Sequence, residues 1–110
     1  MDIAISSSGV EVSQKLEEVT RTKVAKLDRY LSGIDRAEVR FSEERNPRIA
    51  EPLNCEVTLE GHGYHIRGGG HGVTAQAALD GAIDKLERQL RKEKTRRVNR
   101  QHNAGERRAG

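Results

Sequence analysis

Three stretches in the middle of the chain alternate apolar and polar residues, and this alternation constrains the fold more than any other feature. In "AEVRFSEE", the apolar positions are Ala37, Val39 and Phe41, while "LNCEVTLE" (53–60) and "YHIRG" (64–68) repeat the pattern. Successive side chains of a strand point to opposite faces of a sheet. The pattern therefore predicts three strands that are buried on one face and polar on the other.

Two helical segments lie on either side of these strands. Ser13 is a suitable cap for a helix that runs to about Leu31 and ends at Gly33. Thr74 is a suitable cap for a second helix, which nothing breaks before Gly105. Its apolar residues recur at helical spacing: Leu79, Ala82, Ile83, Leu86 and Leu90.

The element order is predicted to be β-α-β-β-β-α, with "DIAIS" (2–6) as the first strand. This order gives an α+β fold with a four-stranded mixed sheet. Both helices are expected on the one apolar face, with the first two strands parallel and the other pairs antiparallel. The length of 110 residues suits one domain. We place that domain at 1–97 and interpret 98–110 as a basic, disordered tail or the start of a linker.

The composition indicates the cellular compartment in which the protein is expected. The single Cys55 excludes an internal disulfide and suits a reducing compartment. The N-terminus lacks the pattern of a signal peptide, and no stretch approaches the roughly 20 apolar residues of a membrane span. We therefore expect a cytoplasmic protein with no membrane partner.

Positive charge is concentrated in the C-terminal third. Residues 75–110 carry ten Lys or Arg against five Asp or Glu, whereas 1–74 carry ten against twelve. At 100° per residue, Lys85, Arg88 and Lys92 lie opposite the apolar stripe of the second helix. Further cations adjoin this face: Arg91, Lys94, Arg96 and Arg97. The face is either a solvated surface stabilised by pairs such as Asp84–Arg88, or a surface for a polyanion such as nucleic acid.

The first helix contributes a second group of cations. Lys23 falls within the apolar arc of that helix, and Lys26 and Arg29 lie near the same edge. Lys23 either packs its methylenes on the core and extends its ammonium to water, or serves as a positioned cation beside a groove between the helices. In the second case these residues form another wall beside the basic face of the last helix.

Competing motifs are weak. Gly70, Gly72 and Ala75 fit G-x-G-x-x-A, but no further parallel strand follows the helix, so we expect the glycines to serve turn geometry. His62 and His65 would face opposite ways on a strand, which disfavours a metal site. Cys55 alternates with apolar residues and is predicted to be a core residue. The sequence thus favours a binding protein with no cofactor and no small-molecule substrate over an enzyme.

Two segments resemble a known family. "AALDGAIDKLERQLRKEK" (77–94) and "KVAKLDRYL" (23–31) are similar to the ribosome hibernation promoting factor and protein Y family, over residues 1 to about 97. The resemblance implies a fold comparable to double-stranded-RNA-binding domains. It also implies binding to small-subunit ribosomal RNA in the channel of tRNA and mRNA, which inhibits translation and preserves idle ribosomes under stress. The motif cations carried over are Lys23, Lys26, Lys85, Arg88, Lys92 and Lys94.

Some alternatives stay open. Thr74 stands where relatives often have an acidic cap, and Gln76 where many have Tyr. A general double-stranded-RNA-binding module would explain the same charges. A third alternative is a regulator that contacts another protein through the polar outer face of the sheet. Arg29, Arg91, Arg96 and Arg97 are predicted RNA contacts from charge and position alone. Whether the protein promotes ribosome dimerisation or silences single ribosomes is not determined by the sequence.

Overall fold

The computed structural model describes the backbone of residues 1–30 and 33–109, and the side chains of residues 1–30 and 33–93. The elements follow the predicted order β-α-β-β-β-α. They are β1 (Asp2–Ser8), α1 (Gln14–Ala25) with a 3₁₀ segment (Lys26–Arg29), β2 (Ile34–Glu43), β3 (Leu53–Gly61), β4 (Tyr64–Gly72) and α2 (Ala75–Ala109).

The four strands form one sheet in the order β1-β2-β3-β4. β1 pairs with β2 in parallel, and the pairs β2–β3 and β3–β4 are antiparallel. Val39 lies between Ile5 and Val57 in the register, so the apolar positions of three strands meet on one face. The predicted mixed sheet is confirmed.

The core lies between this face and the helices. Val39, Phe41 and Val57 are at most 1% exposed, and α2 adds Leu86 and Leu90, both fully buried. The other face of the sheet carries exposed polar residues, including an ion pair of 3.2 Å between Arg67 Nε and Glu56 Oε1. Both helices therefore cover the apolar face, as the alternation predicts.

Side-chain caps fix where the helices begin. Ser13 Oγ accepts a hydrogen bond of 3.1 Å from the amide of Leu16, and Thr74 Oγ1 accepts one of 3.1 Å from the amide of Ala77. These bonds satisfy amides that have no partner within the helix. Both predicted caps are confirmed.

The glycines of β4 have a different role from the one predicted. They belong to the strand and not to a turn, since β4 extends through Gly72. A Cβ on Gly70 would lie 2.2 Å from the carbonyl oxygen of Ala78 and 2.4 Å from the amide nitrogen of Ala82. The prediction of turn geometry was wrong for Gly70 and Gly72, which lie within the strand and allow α2 to pack directly on it.

The ends of the two helices differ in part from their predicted positions. The α-helical part of α1 ends at Ala25 and the last turn is 3₁₀, while the predicted end at Leu31 lies outside the described residues. Gly33 has φ 87°, a conformation that favours glycine after a helix. The backbone of α2 continues through 98–109, where a disordered tail or linker was predicted. The division of the chain at residue 97 stays a prediction.

Candidate nucleic-acid interface

The outward face of α2 carries three exposed cations, Lys85, Arg88 and Lys92. They lie opposite Leu86 and Leu90, which fix the helix to the sheet. Because the apolar stripe is packed against the sheet, the direction of the cationic side chains is set by helical periodicity. The predicted exposure of these three cations is confirmed.

Arg88 illustrates both interpretations of the charged face. Its guanidinium forms an i,i+4 ion pair of 3.1 Å with Asp84, as predicted, and its side chain is 72% exposed. An ion pair this exposed contributes only about 0.3–0.5 kcal/mol to stability. The guanidinium is therefore readily available to a phosphate.

The cations of α1 and its 3₁₀ segment lie on the side that faces α2. Lys23 forms an ion pair with Asp80 of α2, and its side chain is 33% exposed. Lys26 and Arg29 are exposed in the following turn. Lys23 therefore lies beside a groove between the helices, which is the second of the two alternatives drawn from the sequence. Its pairing with a carboxylate across the helices was not predicted.

A groove of about 290 Å³ separates the two helical elements, and we call it the interhelical groove. Its lining residues are Lys23, Lys26, Arg29 and Tyr30 on one side, and Asp80, Ile83 and Glu87 on the other. It brings together the three cations predicted around the first helix. The α2 wall contributes two carboxylates, so Lys85, Arg88 and Lys92 do not form the opposite wall.

Arg91 of α2 contacts Tyr30, the residue that follows the 3₁₀ segment. Its guanidinium carbon lies 5.4 Å from the centroid of the Tyr30 ring, within the range of a cation–π interaction. Arg91 was predicted as an RNA contact from charge alone, and the stacking was not foreseen. The contact places an exposed guanidinium beside the interhelical groove.

The remaining predicted cations, Lys94, Arg96 and Arg97, lie beyond the described side chains. Their backbone belongs to α2. Their role in binding stays a prediction.

Asp80 and Glu87 are functional candidates that the sequence analysis missed. Asp80 precedes Ile83 by three positions and Glu87 follows it by four, which places both on the flank of the apolar stripe that faces α1. That spacing is visible in the sequence. Only the position of the first helix shows that the two carboxylates line a groove.

Metal ligation and thiol chemistry are the other candidate functions of the described side chains. No group of three His, Cys, Asp or Glu side chains arranged to hold a metal occurs among the described residues. Cys55 is 1% exposed, and its pKa is raised to about 12, chiefly by burial and further by the charge of Glu56. The predicted core role of Cys55 is confirmed. Within the same described part of the chain, no helix has the length and apolar character to cross a membrane.

Comparisons with known proteins identify relatives. Residues 3–98 match the family model described as "Sigma 54 modulation protein / S30EA ribosomal protein". A ribosome hibernation promoting factor of Salmonella typhimurium is 35% identical over 94 residues, which cover 86% of this chain and 94% of the relative. A ribosome hibernation promotion factor of Deinococcus radiodurans is 42% identical over 93 residues, covering 84% of this chain but only 48% of the relative.

Solved structures give the same picture. The N-terminal domain of Thermus thermophilus protein Y superimposes with a TM-score of 0.70 and 26% identity, covering 84% of this chain and 98% of that domain. A ribosomal subunit interface protein of Coxiella burnetii superimposes with a TM-score of 0.75 over 86% of this chain and 99% of that protein. Its identity is 22%, so it supports the fold alone.

Proposed function

This chain belongs to the Sigma 54 modulation protein / S30EA ribosomal protein family, and from that premise we propose that it is a ribosome hibernation factor. It binds the small ribosomal subunit in the channel used by tRNA and mRNA. Its bulk excludes both ligands, which stops translation and preserves idle ribosomes under stress. Such a protein acts in the cytoplasm, where the ribosomes are.

The observation that carries this proposal is the outward basic face of α2. Lys85, Arg88 and Lys92 project from a helix whose Leu86 and Leu90 are fully buried against the sheet. Such a row of cations suits the phosphate backbone of RNA, because the helix that carries them is already ordered and only the side chains lose freedom on binding. The names of the relatives from Salmonella typhimurium and Deinococcus radiodurans supply the ribosome as the polyanion.

The proposed RNA contacts include two groups of cations besides this face. The groove cations Lys23, Lys26 and Arg29 line the side of the domain next to α2. The contacts are completed by Arg91, Lys94, Arg96 and Arg97. Lys and Arg contacts to phosphate set the position of a protein on RNA without reading its sequence. The shape of the channel then selects the site, and the protein acts by occupying it and not by catalysis.

A sedimentation experiment tests the proposal. Purified ribosomes are mixed with the protein, separated on a sucrose gradient, and challenged with initiator tRNA. We expect the protein to sediment with the small subunit and to be displaced by excess tRNA. The same gradient reveals whether ribosomes pair or remain single. Sedimentation that excess tRNA does not affect would contradict binding in the channel.

The second candidate, a general double-stranded-RNA-binding module, is favoured by the similarity of the β-α-β-β-β-α order to such domains. It predicts comparable affinity for any long RNA duplex and no competition with tRNA. A duplex competitor in the same gradient distinguishes the two, because a hibernation factor stays on ribosomes when an equal mass of duplex RNA is added.

A further inference from the structure

The interhelical groove combines two kinds of chemistry that a simple phosphate site does not need. Lys26 and Arg29 form its cationic wall, and Glu87 lies in the opposite wall beside Ile83. A surface that contacts only phosphates is weakened by a carboxylate, because like charges repel. The presence of Glu87 therefore indicates a ligand group other than phosphate.

Glu87 is half-buried and has no hydrogen bond or ion pair among the described residues. The other carboxylate of the wall, Asp80, is already paired with Lys23. The opposed charges of Lys26, Arg29 and Glu87 line one groove without closing into an ion pair. A half-buried carboxylate without a partner costs free energy that a bound hydrogen-bond donor would recover.

A ligand that satisfies both walls carries an anion and a pair of N–H donors. A nucleotide has this composition, with phosphate on one side of the sugar and base donors on the other. Carboxylates accept hydrogen bonds only. Among the four bases, guanine presents two adjacent N–H groups, N1–H and N2–H, on its Watson–Crick edge, and these match the two oxygens of one carboxylate. In a duplex this edge is already paired, so the guanine must be unpaired.

We infer that the interhelical groove binds one unpaired guanine nucleotide of RNA, with its phosphate on Lys26 and Arg29 and its Watson–Crick edge on Glu87. Ile83, which is 8% exposed, adds a small apolar area to the groove lining beside Glu87. The volume of about 290 Å³ is large enough for one base. The inference rests on the proposed RNA-binding function and adds one base-specific contact to it.

Short RNAs provide the test. Fluorescence anisotropy compares three labelled pentanucleotides of uridines with a central guanosine, inosine or adenosine. Inosine lacks only the N2 amino group, so the phosphates are identical and any difference in affinity comes from the base. We expect guanosine to bind about tenfold more tightly than inosine, the usual order for loss of one base contact. Equal affinities would overturn the inference.

Two variants identify the group that reads the base. Glu87→Gln keeps the size of the side chain and replaces one acceptor oxygen by a donor, so the preference for guanosine over inosine should fall below about twofold. Glu60→Gln removes the same charge on the exposed outer face of the sheet and should keep the full preference. A full preference retained in Glu87→Gln would show that the base is read elsewhere.

The outcome is separable from that of the proposed function. Glu87→Gln is also sedimented with ribosomes, and unaltered urea midpoints establish that both variants are folded. Ribosome binding by the unaltered protein without a guanosine preference refutes the inference alone. Absence of ribosome binding refutes the proposed function, whatever the pentanucleotides show.

Discussion

The ammonium of Lys23 on α1 is paired with the carboxylate of Asp80 on α2. The two residues are 57 positions apart in the chain. The pair connects the two helices at the side of the interhelical groove, where Lys23 was predicted to contact RNA. A phosphate that approaches Lys23 therefore competes with Asp80, and the carboxylate limits the affinity of this position.

Neutralising Asp80 should strengthen RNA binding. Asp80→Asn removes the competing charge, and we expect several-fold tighter binding to small subunits at low salt. Lys23→Gln should weaken binding. It should also lower the magnitude of the slope of log K against log salt concentration by about one. Binding is measured across a salt titration. If Asp80→Asn weakens binding as much as Lys23→Gln does, the carboxylate positions the lysine and does not compete with phosphate.

The same pair should matter little for stability. Its side chains are 33% and 50% exposed, and ion pairs this exposed contribute about 0–1 kcal/mol. Urea unfolding of both single variants and the double variant isolates the coupling free energy. A coupling well above about 1 kcal/mol would assign the pair a structural role.

Two adjacent glycines of β4 should respond very differently to alanine. Gly70→Ala places a methyl group 2.2 Å from the carbonyl oxygen of Ala78, so α2 must move, and we expect a loss of about 3 kcal/mol. The nearest heavy atom to a Cβ on Gly69 is the carbonyl oxygen of Cys55, at 3.7 Å. Gly69→Ala should therefore be neutral or stabilising by less than about 1 kcal/mol. Urea midpoints compare the two, and equal effects would contradict the close approach of the helix.

Stability should fall at alkaline pH because of Cys55. Its pKa is raised from 9.0 to about 12, first by burial and then by the Glu56 charge. Between about pH 9 and pH 12 the folded state keeps the thiol proton, while the unfolded chain loses it. The folded state thus binds more protons, and the free energy of unfolding decreases by about 1.4 kcal/mol per pH unit as pH rises through the interval.

Cys55→Ala isolates this contribution, because every other titrating group remains. The difference in unfolding free energy between the two proteins should be constant below about pH 9 and should change steadily above it. A difference that stays constant up to about pH 11 would show that the thiol ionises equally in both states.

The sequence predicted those parts of the fold that depend on local periodicity. Alternation placed Val39 and Val57 in the core, because a strand has only two faces. Ser13 and Thr74 could be identified as helix caps because each bonds an amide only three residues further along the chain. Gly70 was misassigned because a glycine required by a turn and one required by a packed helix are identical in sequence. Only the position of α2 distinguishes them.

In the candidate site, too, the features set by local periodicity could be predicted, and those set by the placement of the helices could not. The exposure of Lys85 and Lys92 follows from 100° per residue on one helix, so it could be predicted. The pairing of Lys23 with Asp80 depends on how two helices are placed on the sheet, which no local pattern contains. Glu87 was overlooked for that reason, since an isolated acidic residue on a charged helix has no distinguishing feature.

The outward face of α2 gives the most direct test of the binding surface. If about five phosphates are neutralised, log K falls with log salt at a slope of roughly −3.5 to −4.5. Arg88→Gln with Lys92→Gln should reduce the magnitude of this slope by about two and weaken small-subunit binding. Stability should change by less than about 1 kcal/mol, because both side chains are exposed and, among the side chains that the structure describes, the Arg88–Asp84 pair is the one ion pair lost.

The matched control neutralises Arg36 and Arg40, which are exposed on β2. Arg40 faces the outer side of the sheet together with Glu56, its partner in the register. Arg36→Gln with Arg40→Gln removes the same formal charge, so a general effect of net charge would weaken binding equally in both double variants. Weaker binding with a smaller slope only in the α2 variant requires direct phosphate contacts, because counterion release depends on the cations that touch the RNA. Equal losses in the two variants would rule out α2 as the specific binding face.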